Sequence, residues 1–196
     1  MAKKDRDDDS DEVSPAETLA SLERLARLIR QAAHAEGLIP VQWEALRYVA
    51  RANRLSNSPG ALARYIGATK GTVSQTIGRL VKRGLLAKSE RPADVRSIAL
   101  TLTEQARALL MKDPLLAVAG DVDELGGKTH RRLSRGLNLL LAREALRQNQ
   151  PLFGTCGDCR YLREGNAGAG PVCMKDNAGL SADEMARLCI EHTPRN

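Results

Sequence analysis

The sequence predicts a mainly α-helical fold with a small β-hairpin and a cysteine-rich appendage. Apolar residues recur every three or four positions through most of residues 16–147, the period of helices packed on one side. Two short segments within residues 85–102 are typical of strands, and all four cysteines follow residue 150. The chain therefore divides into a charged tail predicted to be disordered (1–15), a helical domain (16–150) and a cysteine-rich segment (151–196).

Composition favours helices and a nucleic-acid partner. Aromatic residues make up 3% of the chain, so its core must be built from aliphatic residues and alanine. The net charge is +6, but residues 51–103 alone carry ten lysines and arginines against two acids. A basic patch confined to one segment is typical of a surface that binds nucleic acid. A merely soluble basic face is the alternative.

The segment that carries this charge contains a predicted amphipathic helix that begins after Thr69. Val73, Ile77 and Leu80 lie on one face, Thr69 is a suitable N-cap, and Gly84 suits a left-handed residue at the helix end. The opposite face is polar and basic, with Gly71, Gln75, Gly78, Arg79 and Lys82. Such a face can read base edges near its start and bind phosphates further along, although an ordinary solvated surface helix has the same pattern.

The segments on either side of this helix complete a DNA-binding motif. Residues 58–66 predict a short helix capped by Ser58, and Gly67 leaves only a tight turn before the next helix. Two helices across such a turn form a helix-turn-helix. Downstream, residues 85–89 and 97–102 predict two strands, and the polar, basic residues 90–96 form the tip of a wing between them.

These residues resemble the winged-helix core of the MarR family of bacterial transcriptional regulators. The resemblance spans roughly residues 17–148 and includes the family's Asp-x-Arg wing pair, here Asp94 and Arg96. It implies that Arg96 enters the minor groove and that Asp94 orients it. The predicted DNA contacts on the helix and the wing are Thr69, Lys70, Thr72, Ser74, Gln75, Arg79, Lys82, Arg91, Asp94 and Arg96.

The outer helices carry more apolar surface than one winged domain can cover. We predict helices over residues 16–36, over 103–125 with a kink at Pro114, and after Gly126-Gly127 to Arg147. The resemblance implies that the N- and C-terminal helices pair two subunits, and a homodimer suits a palindromic operator on double-stranded DNA. The expected interface leucines of the last helix are Leu133, Leu137, Leu140 and Leu141.

The cysteines follow the spacing Cys-x2-Cys-x13-Cys-x15-Cys, at Cys156, Cys159, Cys173 and Cys189. A segment of this size cannot bury a core, so four thiolates around a metal would have to hold it. The order of one tight pair and two lone cysteines resembles high-potential iron–sulfur proteins and implies a [4Fe-4S] cluster, with Tyr161 at their aromatic position. Zinc is the alternative. His192, three residues after Cys189, could replace a cysteine ligand, but we expect it at the surface.

The chain has no feature of a catalytic site or a membrane protein. Its three histidines are far apart in sequence, it lacks a glycine-rich phosphate loop, and its start resembles neither a signal nor a transit peptide. No stretch is long enough to span a membrane. We therefore expect a cytoplasmic protein that is not an enzyme, in a compartment where disulfides are rare.

Together these features predict a transcriptional regulator whose operator affinity depends on a redox-, oxygen- or iron-responsive iron–sulfur centre. The alternative is a winged-helix repressor with a structural zinc tail that responds to a small molecule or a partner protein. A third possibility is an electron-transfer protein with a vestigial DNA-binding fold. Because the linker 148–155 is short, we expect the metal centre to lie near the dimerisation helices.

Overall fold

The computed structural model describes residues 13–91, 94–165 and 170–195. The winged-helix part runs α1 (Pro15–Ala32), α2 (Pro40–Arg51), α3 (Pro59–Ile66), α4 (Lys70–Lys82), β1 (Leu86–Arg91), β2 (Asp94–Leu102), α5 (Glu104–Leu110), α6 (Leu115–Glu124) and α7 (Gly126–Arg147). The cysteine-rich segment holds a 3-10 turn (Cys156–Asp158), β3 (Leu162–Arg163), β4 (Val172–Cys173), β5 (Ala178–Gly179) and α8 (Ala182–Ala186). The mainly helical fold with a small antiparallel wing is therefore confirmed.

A hydrophobic core, aliphatic except for Trp43 and Tyr48, joins α2, α3, α4 and the hairpin. Trp43, Leu46, Leu62, Ile77 and Leu80 are all at most 1% exposed, and each lies on the inward face of its helix. The strands β1 and β2 pair antiparallel, from Leu86 opposite Leu102 to the tip. This packing fixes the direction in which α4 and the wing leave the domain.

The local signals of the helix-turn-helix act as the sequence predicts. Ser58 and Thr69 cap α3 and α4 by accepting hydrogen bonds from the backbone N–H groups of Ala61 (3.2 Å) and Thr72 (3.2 Å). Gly67 ends α3 with a φ of +69°. Gly84 follows α4 with the same φ, and the Leu85 N–H donates to the Leu80 carbonyl, so the chain turns directly into the wing.

Two predicted helix bounds are wrong. The helix expected over 103–125 is two helices, because the Pro114 ring disfavours a helical conformation at Asp113. The Asp113 carboxylate instead accepts the Leu115 N–H (2.9 Å) and pairs with Arg47 of α2 (2.8 Å). The first helix ends at Ala32 rather than at residue 36, since Glu36 has a φ of +53°.

The outer helices α1, α6 and α7 contain no buried residue. Their leucines stay partly exposed, including Leu137 (41%) and Leu141 (65%) of the predicted interface. None of the helices among the described residues has the length and apolar character that crossing a bilayer requires. A single copy of the chain thus leaves unpaired the apolar surface that the sequence assigns to subunit contact.

Candidate DNA-reading surface and cysteine centre

Helix α4 presents its two faces as predicted. Val73, Thr76, Ile77 and Leu80 are buried against the core. The predicted DNA contacts of this helix and its cap, all exposed, are Thr69, Lys70, Thr72, Ser74, Gln75, Arg79 and Lys82. In the described parts of the chain, no acidic side chain forms an ion pair with the cations of this set. The face therefore offers hydrogen-bond donors and positive charge to an outside partner.

The threonines at the start of α4 also form hydrogen bonds that stabilise the helix. The Thr69 hydroxyl accepts the Thr72 N–H and lies 3.0 Å from the Thr72 hydroxyl. Thr76 donates its hydroxyl proton to the Thr72 carbonyl (3.0 Å). The start of the helix is thus held by three threonine side chains, of which those of Thr69 and Thr72 are exposed and that of Thr76 is buried.

The wing contacts are only partly described. The backbone of β2 begins at Asp94, opposite Arg91. Residues 92–93, and the side chains of Arg91, Asp94 and Arg96, lie outside the described part of the structure. The predicted contacts of these three side chains therefore stay predictions.

The cysteine-rich segment brings its four cysteines to one cavity. Cys156, Cys159, Cys173 and Cys189 are free thiols, each at most 9% exposed, and all four line the same small cavity. They come from three separate parts of the segment: Cys156 begins the 3-10 turn and Cys159 follows it, β4 carries Cys173, and Cys189 follows α8. Residues 33 positions apart in the chain are therefore neighbours in space, as a shared ligand set requires.

Burial and repulsion by neighbouring cysteines oppose ionisation of two of the thiols, those of Cys156 and Cys189, and raise their pKa. Burial, reinforced by the neighbouring cysteines, raises the pKa of Cys156 to about 11. Burial also raises the pKa of Cys189, against a hydrogen bond from Asn53 that lowers it. A cation beside such buried thiols would stabilise their thiolate form.

The donor set fits a thiolate-bound metal centre, while the geometry is not that of a preformed single-ion site. Across the described residues, no group of three or more His, Cys, Asp or Glu side chains is placed to hold one metal ion. Four buried cysteines around one cavity are nonetheless the soft ligands that zinc and iron–sulfur centres take. The fit to a metal centre therefore rests on the chemistry of the donors and not on their spacing.

His192 is buried, contrary to the sequence expectation. Its side chain is 6% exposed, and its Nε2 lies 3.0 Å from an Asp158 carboxylate oxygen. Its Nδ1 has no hydrogen-bond partner within the described residues. The ring packs on Gly154, where an added Cβ would come within 2.5 Å of Nδ1. His192 thus braces the strand-like segment before Cys156 and does not line the cysteine cavity.

From the short linker we expected the cysteine centre to lie against the predicted dimerisation helices, but the structure does not place it there. Its cavity is closed by Asn53, Arg54 and Leu55, from the connection between α2 and α3, and no described residue of α7 lines it. The short linker instead leads Phe153 onto Tyr48 and Tyr65, with ring centroids 6.0 and 5.2 Å away. This aromatic contact packs the linker against α2 and α3.

Sequence reasoning missed the residues of the α2–α3 connection. The Arg54 guanidinium forms ion pairs with Asp176 (2.7 Å) and Glu184. The Ser56 hydroxyl accepts the Ile190 N–H (2.7 Å). No local pattern distinguishes these polar loop residues from solvated ones, because their partners lie more than 120 residues away.

Comparison with known proteins agrees with this architecture. Residues 36–97 match a family described as MarR family. A MarR transcriptional regulator from Methanosarcina mazei Go1 is 20% identical, with a TM-score of 0.53, over 66% of this chain and 94% of that one. BldR from Sulfolobus solfataricus is 19% identical, with a TM-score of 0.52, over 65% and 92% of the respective chains.

A mutant of MepR from S. aureus is 15% identical, with a TM-score of 0.52, over 67% of this chain and 98% of that one. At these identities the structural likeness shows the fold alone. None of the curated proteins compared with the chain matches it.

Proposed function

We propose that the protein, whose residues 36–97 match a family described as MarR family, is a DNA-binding transcriptional regulator controlled by a cysteine-bound metal centre. The observation that carries this proposal is the position of the cysteine cavity. It is closed by Asn53, Arg54 and Leu55, which lead directly into the helix-turn-helix. A change in the cysteine-rich segment therefore acts on the part of the domain that reads DNA.

The DNA contacts follow from the exposed face of α4. Ser74 and Gln75 would read base edges in the major groove, and Arg79 and Lys82 would bind phosphates, because all four side chains are exposed on that face. The wing pair Asp94 and Arg96 would reach the minor groove beside it. Two copies joined through α1 and α7 would bring two such faces to a palindromic site about one helical turn apart.

The metal would be held by Cys156, Cys159, Cys173 and Cys189. A [4Fe-4S] cluster would supply one-electron chemistry and sensitivity to oxidants, and zinc would supply structure alone. The protein's own contribution is a small cavity lined by the four buried cysteines and by the Arg54 side chain. That cation favours the ionised form of Cys156 and so opposes the pKa increase that burial causes.

A groove favours a second candidate function, a repressor with a structural zinc tail that responds to a small molecule. This groove of about 460 Å³ lies between α7 and the helix-turn-helix, and its lining includes Arg64, Tyr65, Glu144 and Phe153. Its volume is in the range of small-molecule sites. A ligand seated there would contact both a predicted dimerisation helix and the DNA-reading unit.

The test compares DNA binding with and without the metal. Protein purified without oxygen is analysed for iron, zinc and visible absorption. Its affinity is then measured for a duplex that the wild type selects from a random-sequence pool. We expect Cys173→Ser to lose the metal and to differ from the loaded wild type by at least tenfold in affinity. The neighbouring, exposed Met174→Ser is the matched control and should behave as wild type.

A separate arm tests the reading surface. Arg96→Ala and Arg79→Ala should each weaken binding by about 1–3 kcal/mol and leave the fold intact, and affinity should fall steeply with salt. Equal affinities of Cys173→Ser and wild type, with the metal absent from the variant, would contradict metal control. Failure of the wild type to select any duplex would contradict DNA recognition itself.

A further inference from the structure

Backbone hydrogen bonds join the cysteine-rich segment to the end of α2 and to the start of the α2–α3 connection (residues 53–57). The Leu188 N–H donates to the Arg51 carbonyl (2.7 Å), and the Asn53 N–H donates to the Leu188 carbonyl (2.9 Å). These bonds place the residue before Cys189 in a short bridge with Ala52, at the end of α2. Cys189 is thus linked, through the backbone of the preceding Leu188, to the start of the α2–α3 connection.

The same connection holds the DNA-reading elements. The buried Ser56 carbonyl accepts the Tyr48 hydroxyl (2.6 Å) and the Ser58 N–H (2.9 Å), so it fixes the cap residue of α3. The Asn57 carbonyl accepts the Leu100 N–H of the wing strand β2 (2.7 Å). A displacement of the α2–α3 connection would therefore move both the helix-turn-helix and the wing.

Arg54 is the side chain that joins the connection to the cysteine-rich segment. Its guanidinium pairs with Asp176 (2.7 Å) and with Glu184, and it also lines the cysteine cavity. Asp176 follows β4, which carries Cys173, and Glu184 belongs to α8, which leads to Cys189. Arg54 thus binds two carboxylates in the part of the chain between Cys173 and Cys189.

These acids are held in place by the fold of the segment. Glu184 accepts the Ser181 N–H (3.2 Å) in a capping box at the start of α8. The hydrogen bond from Arg54 holds the pKa of Glu184 below its usual range, so the carboxylate is charged near neutral pH. If the segment loses its fold when metal is removed, the two carboxylates no longer face Arg54 together.

From this juxtaposition we infer that Arg54 is the positioning residue that couples the cysteine centre to DNA binding, through its ion pairs with Asp176 and Glu184. The inference rests on the proposed function, because it names the route by which metal occupancy alters the reading elements. Arginine suits this role because its planar fork binds two carboxylates at once, which a lysine ammonium does not reproduce.

The experiment measures coupling rather than binding alone. Wild type, Arg54→Gln, Glu184→Gln and Arg163→Gln are prepared loaded and metal-free, and each form is titrated with the duplex selected by the wild type. Arg163 is the matched control, since it is exposed and its side chain donates to the carbonyls of Arg160 and Leu162. Metal content and hydrogen exchange of residues 53–57 are measured on the same samples.

We expect a difference of at least tenfold between the loaded and metal-free forms of wild type and Arg163→Gln, and less than threefold for Arg54→Gln with its metal retained. Glu184→Gln keeps the capping box, because glutamine serves at that position, and should also reduce the difference. If Arg54→Gln does not retain metal, Glu184→Gln is the variant that tests the inference. Loaded Arg54→Gln should exchange faster at residues 53–57.

A wild-type-sized difference in both variants would overturn the role of Arg54 and leave the proposed function standing. Absence of any difference in wild type would overturn metal control itself, and this inference with it. Unchanged exchange at residues 53–57 in loaded Arg54→Gln would also contradict the coupling, whatever the affinities. The two failures are therefore distinguishable within one set of samples.

Discussion

The winged core and the outer helices solve the problem of apolar burial in different ways. In the core, Trp43, Leu46 and Ile77 are at most 1% exposed within a single chain. In α1, α6 and α7, the structure has no buried residue, although these helices carry leucines at helical spacing. The core is stabilised by its own contacts, whereas the outer helices need a second surface to bury theirs.

This difference assigns separate tasks to the two regions. A self-contained core can hold α4 and the wing in fixed positions even when the outer helices change. Outer helices that depend on a partner make assembly sensitive to concentration and to ligands. The cysteine-rich segment lies on the core side of this division, because it hydrogen-bonds to the α2–α3 connection.

The largest expected effect is in the core. Trp43 is fully buried, so Trp43→Ala removes a large side chain from a packed interior and should lower the free energy of unfolding by about 3–5 kcal/mol. Urea denaturation followed by circular dichroism measures this loss, since the variant lacks the only tryptophan.

Trp43→Phe is the control. The Trp43 indole N–H has no hydrogen-bond partner among the described residues, so its removal leaves no partner unsatisfied. This variant should lose much less stability than Trp43→Ala. A loss below about 1 kcal/mol for Trp43→Ala would mean that the core is not the self-contained unit described above.

The sequence predicts the core better than the contacts around the cysteines, for a physical reason. Val73, Ile77 and Leu80 reveal their burial through helical spacing, and Gly67 and Gly84 mark turns through their freedom at positive φ. Such signals are local. Arg54 has no local signal, because its role depends on acids more than 120 residues away.

The position of the cysteine centre shows the same limit. Spacing alone indicates that four cysteines act together, and the structure brings them to one cavity. The length of the linker restricts how far the centre can lie from α7, but not which surface it contacts. That choice is made by the backbone bonds of Leu188 and by Phe153 packing on Tyr65.

A smaller effect is expected in the outer helices. Leu137 is 41% exposed in one chain and lies on the predicted interface of α7. Leu137→Ala should change the stability of the core by less than about 0.5 kcal/mol, since the residue is not part of it. In the dimer it should lose roughly 1–2 kcal/mol of apolar burial per subunit, which raises the dissociation constant at least tenfold.

Leu139→Ala supplies the matched control on the same helix. Leu139 is also exposed (52%), but two positions along an α-helix it points to the opposite side. Sedimentation over a range of concentrations measures both dissociation constants. A larger effect of Leu139→Ala than of Leu137→Ala would place the subunit interface on the other face of α7.

The smallest expected effect compares the same chemical bond in the two regions. Thr69 caps α4 in the core, and Ser14 caps α1 among the outer helices; each hydroxyl accepts a backbone N–H at 3.2 Å. Thr69→Ala should lower the free energy of unfolding of the core by about 1 kcal/mol, because α4 unfolds only together with the core. Ser14→Ala loses an equivalent bond, but α1 has no buried residue and frays independently in a separated subunit. Its effect should therefore appear only when the dimer forms.

Urea denaturation at concentrations above and below the dimer dissociation constant measures this contrast. Equal losses for the two variants in the separated subunit would show that α1 belongs to the cooperative unit of the core, and would erase the distinction between the two regions.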